Sequence, residues 1–178
     1  QRYGLSNDWL QLLNPGYSDT RLRAGQRLKV FDASQLQLRL LVQRQFFRCW
    51  LVAKSAHGQA ILLASYPVGI GQADRATPLG TTTFRHAVLD PEWTHPDTGM
   101  VYGPHHPDNV LGGYWLGLKP GDRGQFHGIG FHGYTGAPTD DWLEKPGSRG
   151  CLRLRQADIH QLYAVIRKHL STQVTVVD

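Results

Sequence analysis

The chain has 178 residues, 40% of them hydrophobic, and its 19 Lys+Arg against 14 Asp+Glu leave a formal charge of +5. That length fits one medium domain, or one domain with a small module, and no apolar run approaches the roughly 18 residues that a membrane span needs. Two cysteines, Cys49 and Cys151, provide neither a disulfide framework nor zinc-ligand spacing. The basic residues are scattered apart from Arg149, Arg153 and Arg155, and there is no RNA-recognition signature or Lys/Arg-rich helix. Nucleic acid is therefore not an expected partner, whereas the basic surface suits an anionic polymer.

In chain order, Ser6 or Asn7 is placed to cap a short helix carrying Leu10 and Leu13. Asn14-Pro15-Gly16 ends it, and Leu22, Leu28 and Val30 lead into a short strand. Residues 31–36 read as a linker. From Gln37 the pattern turns to β: Leu38, Leu40 and Val42 alternate with Arg39, Leu41 and Gln43, and Phe46 to Ala53 is apolar and aromatic. A turn at Ala56-His57-Gly58-Gln59 makes a hairpin with a strand from Ala60 to Val68. Cys49 lies inside the apolar strand and reads as a small buried hydrophobe.

Residues 69–81 read as loop and Thr81 to Val88 as strand. Residues 89–113 are rich in Pro, Gly, Asp and His, a long connection of the kind that carries function. Tyr114 to Leu118 is a strand ending at the turn Lys119-Pro120-Gly121-Asp122. Gln156 to Leu170 is the one long helix, with Ile159, Leu162, Tyr163, Ile166 and Leu170 on one face. Asp158 suits its first turn and Arg167, Lys168 and His169 its last. Gln173 to Val177 closes the chain as a strand. The expected class is mainly β (α+β).

The chemistry concentrates in residues 124–154. Cys151 follows Gly150, in Gly147-Ser148-Arg149-Gly150-Cys151, and His132 lies among glycines in Ile129-Gly130-Phe131-His132-Gly133. A thiol and an imidazole on such backbone are the ingredients of a cysteine nucleophile with a histidine base. Arg149 and Arg153 are expected to favour the thiolate, and the N–H groups of Gly150 and Cys151 to face a developing oxyanion. The alternatives are weaker. His105-His106 with Asp108 lacks metal-site spacing, so no metal is expected; no GxSxG elbow supports a serine triad; Asp140, Asp141 and Glu144 read as a solvated loop.

These residues resemble the YkuD-type L,D-transpeptidase catalytic domain, whose motif is a histidine, about 14–17 residues, then Ser/Thr-His-Gly-Cys. Here His132 is followed by fifteen residues, Gly133 to Gly147, and then Ser148-Arg149-Gly150-Cys151. Leu152-Arg153-Leu154, Tyr66-Pro67-Val68-Gly69-Ile70-Gly71, Thr77-Pro78-Leu79-Gly80-Thr81 and Asn109-Val110-Leu111-Gly112 are similar to further family segments. The resemblance implies a YkuD-like β-sandwich of mixed sheets over 37–178, with one amphipathic helix after the cysteine. It also implies that Cys151 attacks the L,D amide of a peptidoglycan tetrapeptide stem, with His132 as general base and the Gly133 carbonyl orienting it. D-Ala leaves, and the thioester passes to an amine in a 3→3 crosslink. Water as acceptor would make the protein an L,D-carboxypeptidase, and a decayed site would leave a wall-binding module. No cofactor is implied.

The family's second histidine is Arg149 here, and arginine cannot act as a base. Arg149, Arg153 and Ser148 are assigned to substrate binding, with His127 in reserve as base or orienting group. Residues 1–33 resemble the second half of a LysM module through Tyr3, Gly4, Leu10, Leu13, Asn14, Pro15, Leu22, Gly25, Gln26, Leu28 and Val30. LysM modules bind N-acetylglucosamine glycans, so glycan is a candidate partner of that part. No export signal is visible at Gln1. The expectation is a monomer, exported to the bacterial periplasm or cell wall with its signal removed, with Cys49 and Cys151 both free.

Overall fold

A computed structural model describes residues 5–31, 37–54 and 58–178. The strands are β1 (Gln37–Gln43), β2 (Arg48–Lys54), β3 (Ala60–Pro67), β4 (Ile70–Gly71), β5 (Gly80–Leu89), β6 (Trp93–Thr94), β7 (Val101–Tyr102), β8 (Tyr114–Leu118), β9 (Gly130–His132), β10 (Pro146–Ser148), β11 (Leu152–Arg153) and β12 (Gln173–Val177). Two helices, α1 (Asn7–Leu13) and α2 (Gln156–Ile166), complete the main elements, with a 3-10 turn at Ala73–Arg75. The fold is mainly β, as expected. Eight strands run in the order β11-β9-β8-β5-β12-β1-β2-β3, and the small pairs β10-β4 and β6-β7 lie outside that sheet. The sheet is mixed: β1 with β12 and β9 with β11 are parallel. Long β5 is shared, pairing with β12 through Thr81–Thr83 and with β8 through Phe84 to Leu89.

Alternation dictates which faces are buried. In β1, Leu38, Leu40 and Val42 point inward, and in β2 Cys49, Leu51 and Ala53 do the same. Registers Val42↔Cys49 and Leu40↔Leu51 stack these into one apolar layer. α2 adds Ile159, Leu162, Val165 and Ile166 to the same core, all buried, each worth about 1.5–3 kcal/mol when removed from water. The helix ends four residues earlier than the periodicity predicts. Beyond Ile166 the amides of Lys168 and His169 bond to carbonyls three residues back, the tighter turn that commonly closes a helix.

The N-terminal segment departs from expectation at residues 28–30, which form no strand. The side chain of Asn14 stands in for a strand partner. Its amide nitrogen donates to Lys29 O at 3.0 Å, and its oxygen accepts from Lys29 N–H at 2.7 Å. Ser6 occupies the α1 N-cap position but makes no capping bond. Leu5, Trp9 and Leu12 join the main core, with Trp9 edge-on to His169 and Asp8 facing Arg167 at 3.7 Å. Tyr3, Gly4, Ala56, His57 and most of the expected linker lie outside the described residues.

Residues 89–113 also differ from a plain loop, because they contain the β6–β7 hairpin. His95 builds its tip. The His95 N–H donates to Met100 O at 2.8 Å, and its Nδ1 accepts from the N–H groups of Asp97 and Thr98. Trp93 stacks on Tyr102, with centroids 5.6 Å apart. Buried Asn109 ties the base, donating to Pro91 O at 2.9 Å and Gly103 O at 3.0 Å.

Candidate active site

The parallel pairing of β9 with β11 assembles the site. Its register sets Leu152 beside Phe131 and Arg153 beside His132. Side chains alternate along a strand, so Phe131 and Leu152 enter the core, both fully buried. Cys151, Arg153 and His132 turn to the opposite side and line a cleft of about 650 Å³. The β6–β7 hairpin forms the facing wall through Trp93, Thr94 and Pro96.

His132 is 4% exposed. Its Nδ1–H donates to the Gly133 carbonyl, which leaves Nε2 as the unprotonated nitrogen. Burial pulls the imidazole down to about 4, against the raising effect of the Gly133 bond, and nearby Arg153 lowers it further. The ring is neutral at physiological pH. Trp115, directly opposite on β8, packs against it with centroids 5.9 Å apart. The Trp115 indole N–H donates to His86 Nε2 at 2.9 Å, so β5 and β8 both fix the wall behind His132.

The nucleophile turn is held from three sides. Ser148 Oγ accepts from Gly150 N–H at 3.1 Å and donates to Cys151 O at 2.6 Å. Gly150 has φ +105°, and a Cβ there would stand 2.7 Å from Ile129 Cδ1, so this position requires glycine. Thr77, fully buried, accepts from Gly71 N–H and donates to Gly150 O, both at 2.9 Å. Cys151 itself is half-buried, with Sγ 3.6 Å from Gly128 O.

Several expectations change at this point. Burial pushes the Cys151 thiol up to about 11, and only partial relief comes from a Gly130 backbone bond and from Arg153. Arg153 favours the thiolate, as expected, but desolvation is the larger effect. Gly150 N–H, expected to face an oxyanion, donates to Ser148 Oγ in the free protein. The Ser148 hydroxyl is likewise committed inside the turn rather than offered to a substrate. Arg149 lines the cleft, but its guanidinium grips Asp97. Arg153 lies with its guanidinium carbon 3.8 Å from the Tyr134 ring centroid, and its buried Nε has no hydrogen-bond partner among the described residues. His127 is exposed in the turn after Gly124 and does not reach the cleft. Cys49 is a free, fully buried thiol in β2, and Cys151 is also free.

Thr77, His86, Trp115 and Asp97 are contributors that sequence reasoning did not select. For Thr77 a signal existed, since it opens the Thr77-Pro78 segment; the other three carry no local mark.

Comparison with known proteins places the chain in a family. The family model for the YkuD L,D-transpeptidase catalytic domain matches residues 47–176. A probable L,D-transpeptidase, ErfK/SrfK of Escherichia coli (strain K12), is 34% identical over 125 residues, covering 64% of this chain and 36% of that protein. The chain thus spans about a third of that relative's length. An Enterococcus faecium L,D-transpeptidase mutant superposes with a TM-score of 0.57 at 17% identity, over 79% of this chain and 50% of that one. L,D-transpeptidase 3 of Mycobacterium tuberculosis gives 0.56 at 14%, over 80% and 62%. At such identities these structures establish the fold alone.

Proposed function

Because the chain belongs to the YkuD family of L,D-transpeptidase catalytic domains, we propose that it is a peptidoglycan L,D-transpeptidase with Cys151 as nucleophile and His132 as base. The observation that carries this reading is the β9–β11 register, which brings the thiol and the imidazole to one cleft face while the Gly133 carbonyl holds Nδ1–H. Cys151 Sγ attacks the carbonyl carbon of the L,D amide, and its proton moves to His132 Nε2. The tetrahedral oxyanion takes the Cys151 N–H, with the Gly150 N–H beside it once Ser148 Oγ releases it. Collapse breaks the C–N bond, His132 returns the proton to the departing D-Ala nitrogen, and a thioester remains. An amine from a second stem then displaces Sγ and forms the 3→3 crosslink.

Burial lowers the imidazole and raises the thiol, which disfavours a resting ion pair. In this reading proton transfer accompanies C–S bond formation. Arg153, charged and with an unpartnered Nε beside Cys151, is the group we assign to a stem carboxylate. Asp90 and Glu92 line the same cleft, and both signs of charge suit a stem that carries carboxylates and an amine.

In the same reading the protein acts outside the cytoplasm, in the periplasm or cell wall, as a monomer, and residues 1–33 derive from a LysM module. Burial of Leu5, Trp9 and Leu12 in the main core makes that segment a brace for the catalytic domain. The deciding experiment incubates the protein with disaccharide-tetrapeptide and resolves products by mass spectrometry. D-Ala release with crosslinked dimers is expected, and Cys151→Ala should abolish both. Tripeptide monomers alone would make it an L,D-carboxypeptidase, and no D-Ala release would leave a wall-binding module.

A further inference from the structure

Asp97 sits at the tip of the β6–β7 hairpin. Arg149 Nε donates to its Oδ1 at 3.1 Å, a second Arg149 nitrogen donates to Oδ2, and Arg75 donates to Oδ1 at 3.2 Å. The three residues come from three segments. Arg149 lies between Ser148 and Gly150 in the nucleophile turn, and Arg75 ends the 3-10 turn two residues before Thr77. Those two segments are already joined by Thr77 through Gly150 O. Asp97 adds the hairpin to them, so its carboxylate runs from the facing wall of the cleft to the turn that carries Cys151.

Among the described residues, the other hydrogen bonds of 95–100 stay inside the hairpin. The stacking of Trp93, His95, Tyr102 and His106 also lies within residues 89–113. An isolated exposed ion pair is worth little, but a two-pronged arginine–carboxylate contact shared with a second arginine is the arrangement in which surface charges count. All three side chains are 36–49% exposed, so dissolved salt reaches them.

We propose that Asp97, Arg149 and Arg75 form an electrostatic latch that holds the β6–β7 hairpin over the Cys151 cleft, with Asp97 the positioning residue that governs access to the thiol. The latch gives Arg149, which stands where the family motif has histidine, a structural task in place of base chemistry. It takes its functional meaning from the reading of Cys151 as nucleophile, but its test does not depend on that reading.

The test compares alkylation of Cys151 by small, neutral iodoacetamide and by a bulky neutral polyethylene-glycol maleimide. Both rates scale with the thiolate fraction, so their ratio isolates access. Asp97→Asn should raise the maleimide-to-iodoacetamide ratio about two- to fivefold at low salt. Wild type should rise to the same ratio in about 1 M NaCl, where the Debye length falls to about 3 Å. Arg149→Gln combined with Asp97→Asn should add little to either alone. The salt series needs no variant, so a folding defect cannot mask the outcome. A ratio indifferent to both salt and Asp97→Asn would overturn the latch, whatever the transpeptidation assay gives.

Discussion

Replacing Thr77 by valine removes a hydroxyl and keeps the shape, which makes it a sharp probe of how the nucleophile turn is held. The hydroxyl is fully buried and bridges two segments distant in sequence, taking the Gly71 N–H and giving its own hydrogen to Gly150 O. Thr77→Val leaves a buried donor and a buried acceptor unpaired. Each such orphan costs about 1–3 kcal/mol, so the pair should cost roughly 2–6 kcal/mol. For a domain of this size that is a fall in Tm of roughly 4–24 °C. Thr77→Ser keeps both bonds and loses only a methyl group, worth about 1 kcal/mol. Thermal melts followed by circular dichroism separate the two. Iodoacetamide labelling should also change in the valine variant, because Gly150 O lies one peptide from Cys151. A valine variant melting within about 2 °C of wild type, or a serine variant equally damaged, would refute this account of the turn.

Three further outcomes follow from the same geometry. Because burial pushes the Cys151 thiol up to about 11, its alkylation rate should climb about tenfold per pH unit from 7 to 9; a plateau near neutrality would reveal a preformed thiolate. His132 has a folded pKa of about 4, below its ordinary 6.5. Its contribution is therefore complete above pH 6.5 and is lost as pH falls toward 4, by up to about 3 kcal/mol. Urea titrations across that window should show a steep decline in wild type and a flatter one in His132→Gln, and equal slopes would contradict the assignment. Gly150→Ala forces a side chain onto φ +105° and against Ile129 Cδ1, for a loss of about 1–3 kcal/mol. Adding Ile129→Val should recover the steric part only, and a melt in which it recovers everything would show that the backbone is not strained.

The sheet was legible because its signal is local. Alternation in Leu38, Leu40 and Val42 predicts the buried face of β1, and the strands Tyr114–Leu118 and Gln173–Val177 form at their expected bounds. That Cys151 and His132 line one cleft agrees with the motif spacing that carries the YkuD resemblance. What escaped was whatever depends on through-space partners. Nothing in the sequence places Asp97 against Arg149, or tells whether the Gly150 N–H meets a substrate or Ser148 Oγ. At Cys151 the nearby arginines are visible in the sequence, but the desolvation that opposes them is not. Residues 28–30 failed as a strand because the Asn14 side chain satisfies the Lys29 backbone that a neighbouring strand would otherwise pair.

The position of β12 has a consequence for how the protein is made. It lies between β5 and β1, and it separates a wing of β1, β2 and β3 from the wing of β5, β8, β9 and β11 that carries the cleft. During synthesis from the N-terminus, both wings are complete before Gln173 leaves the ribosome. Until then each presents an open edge strand, β1 on one side and β5 on the other, the kind of edge that invites wrong partners. The last strand thus acts as a keystone in time as well as in space, and pairing to strands begun over ninety residues earlier makes its insertion a slow step.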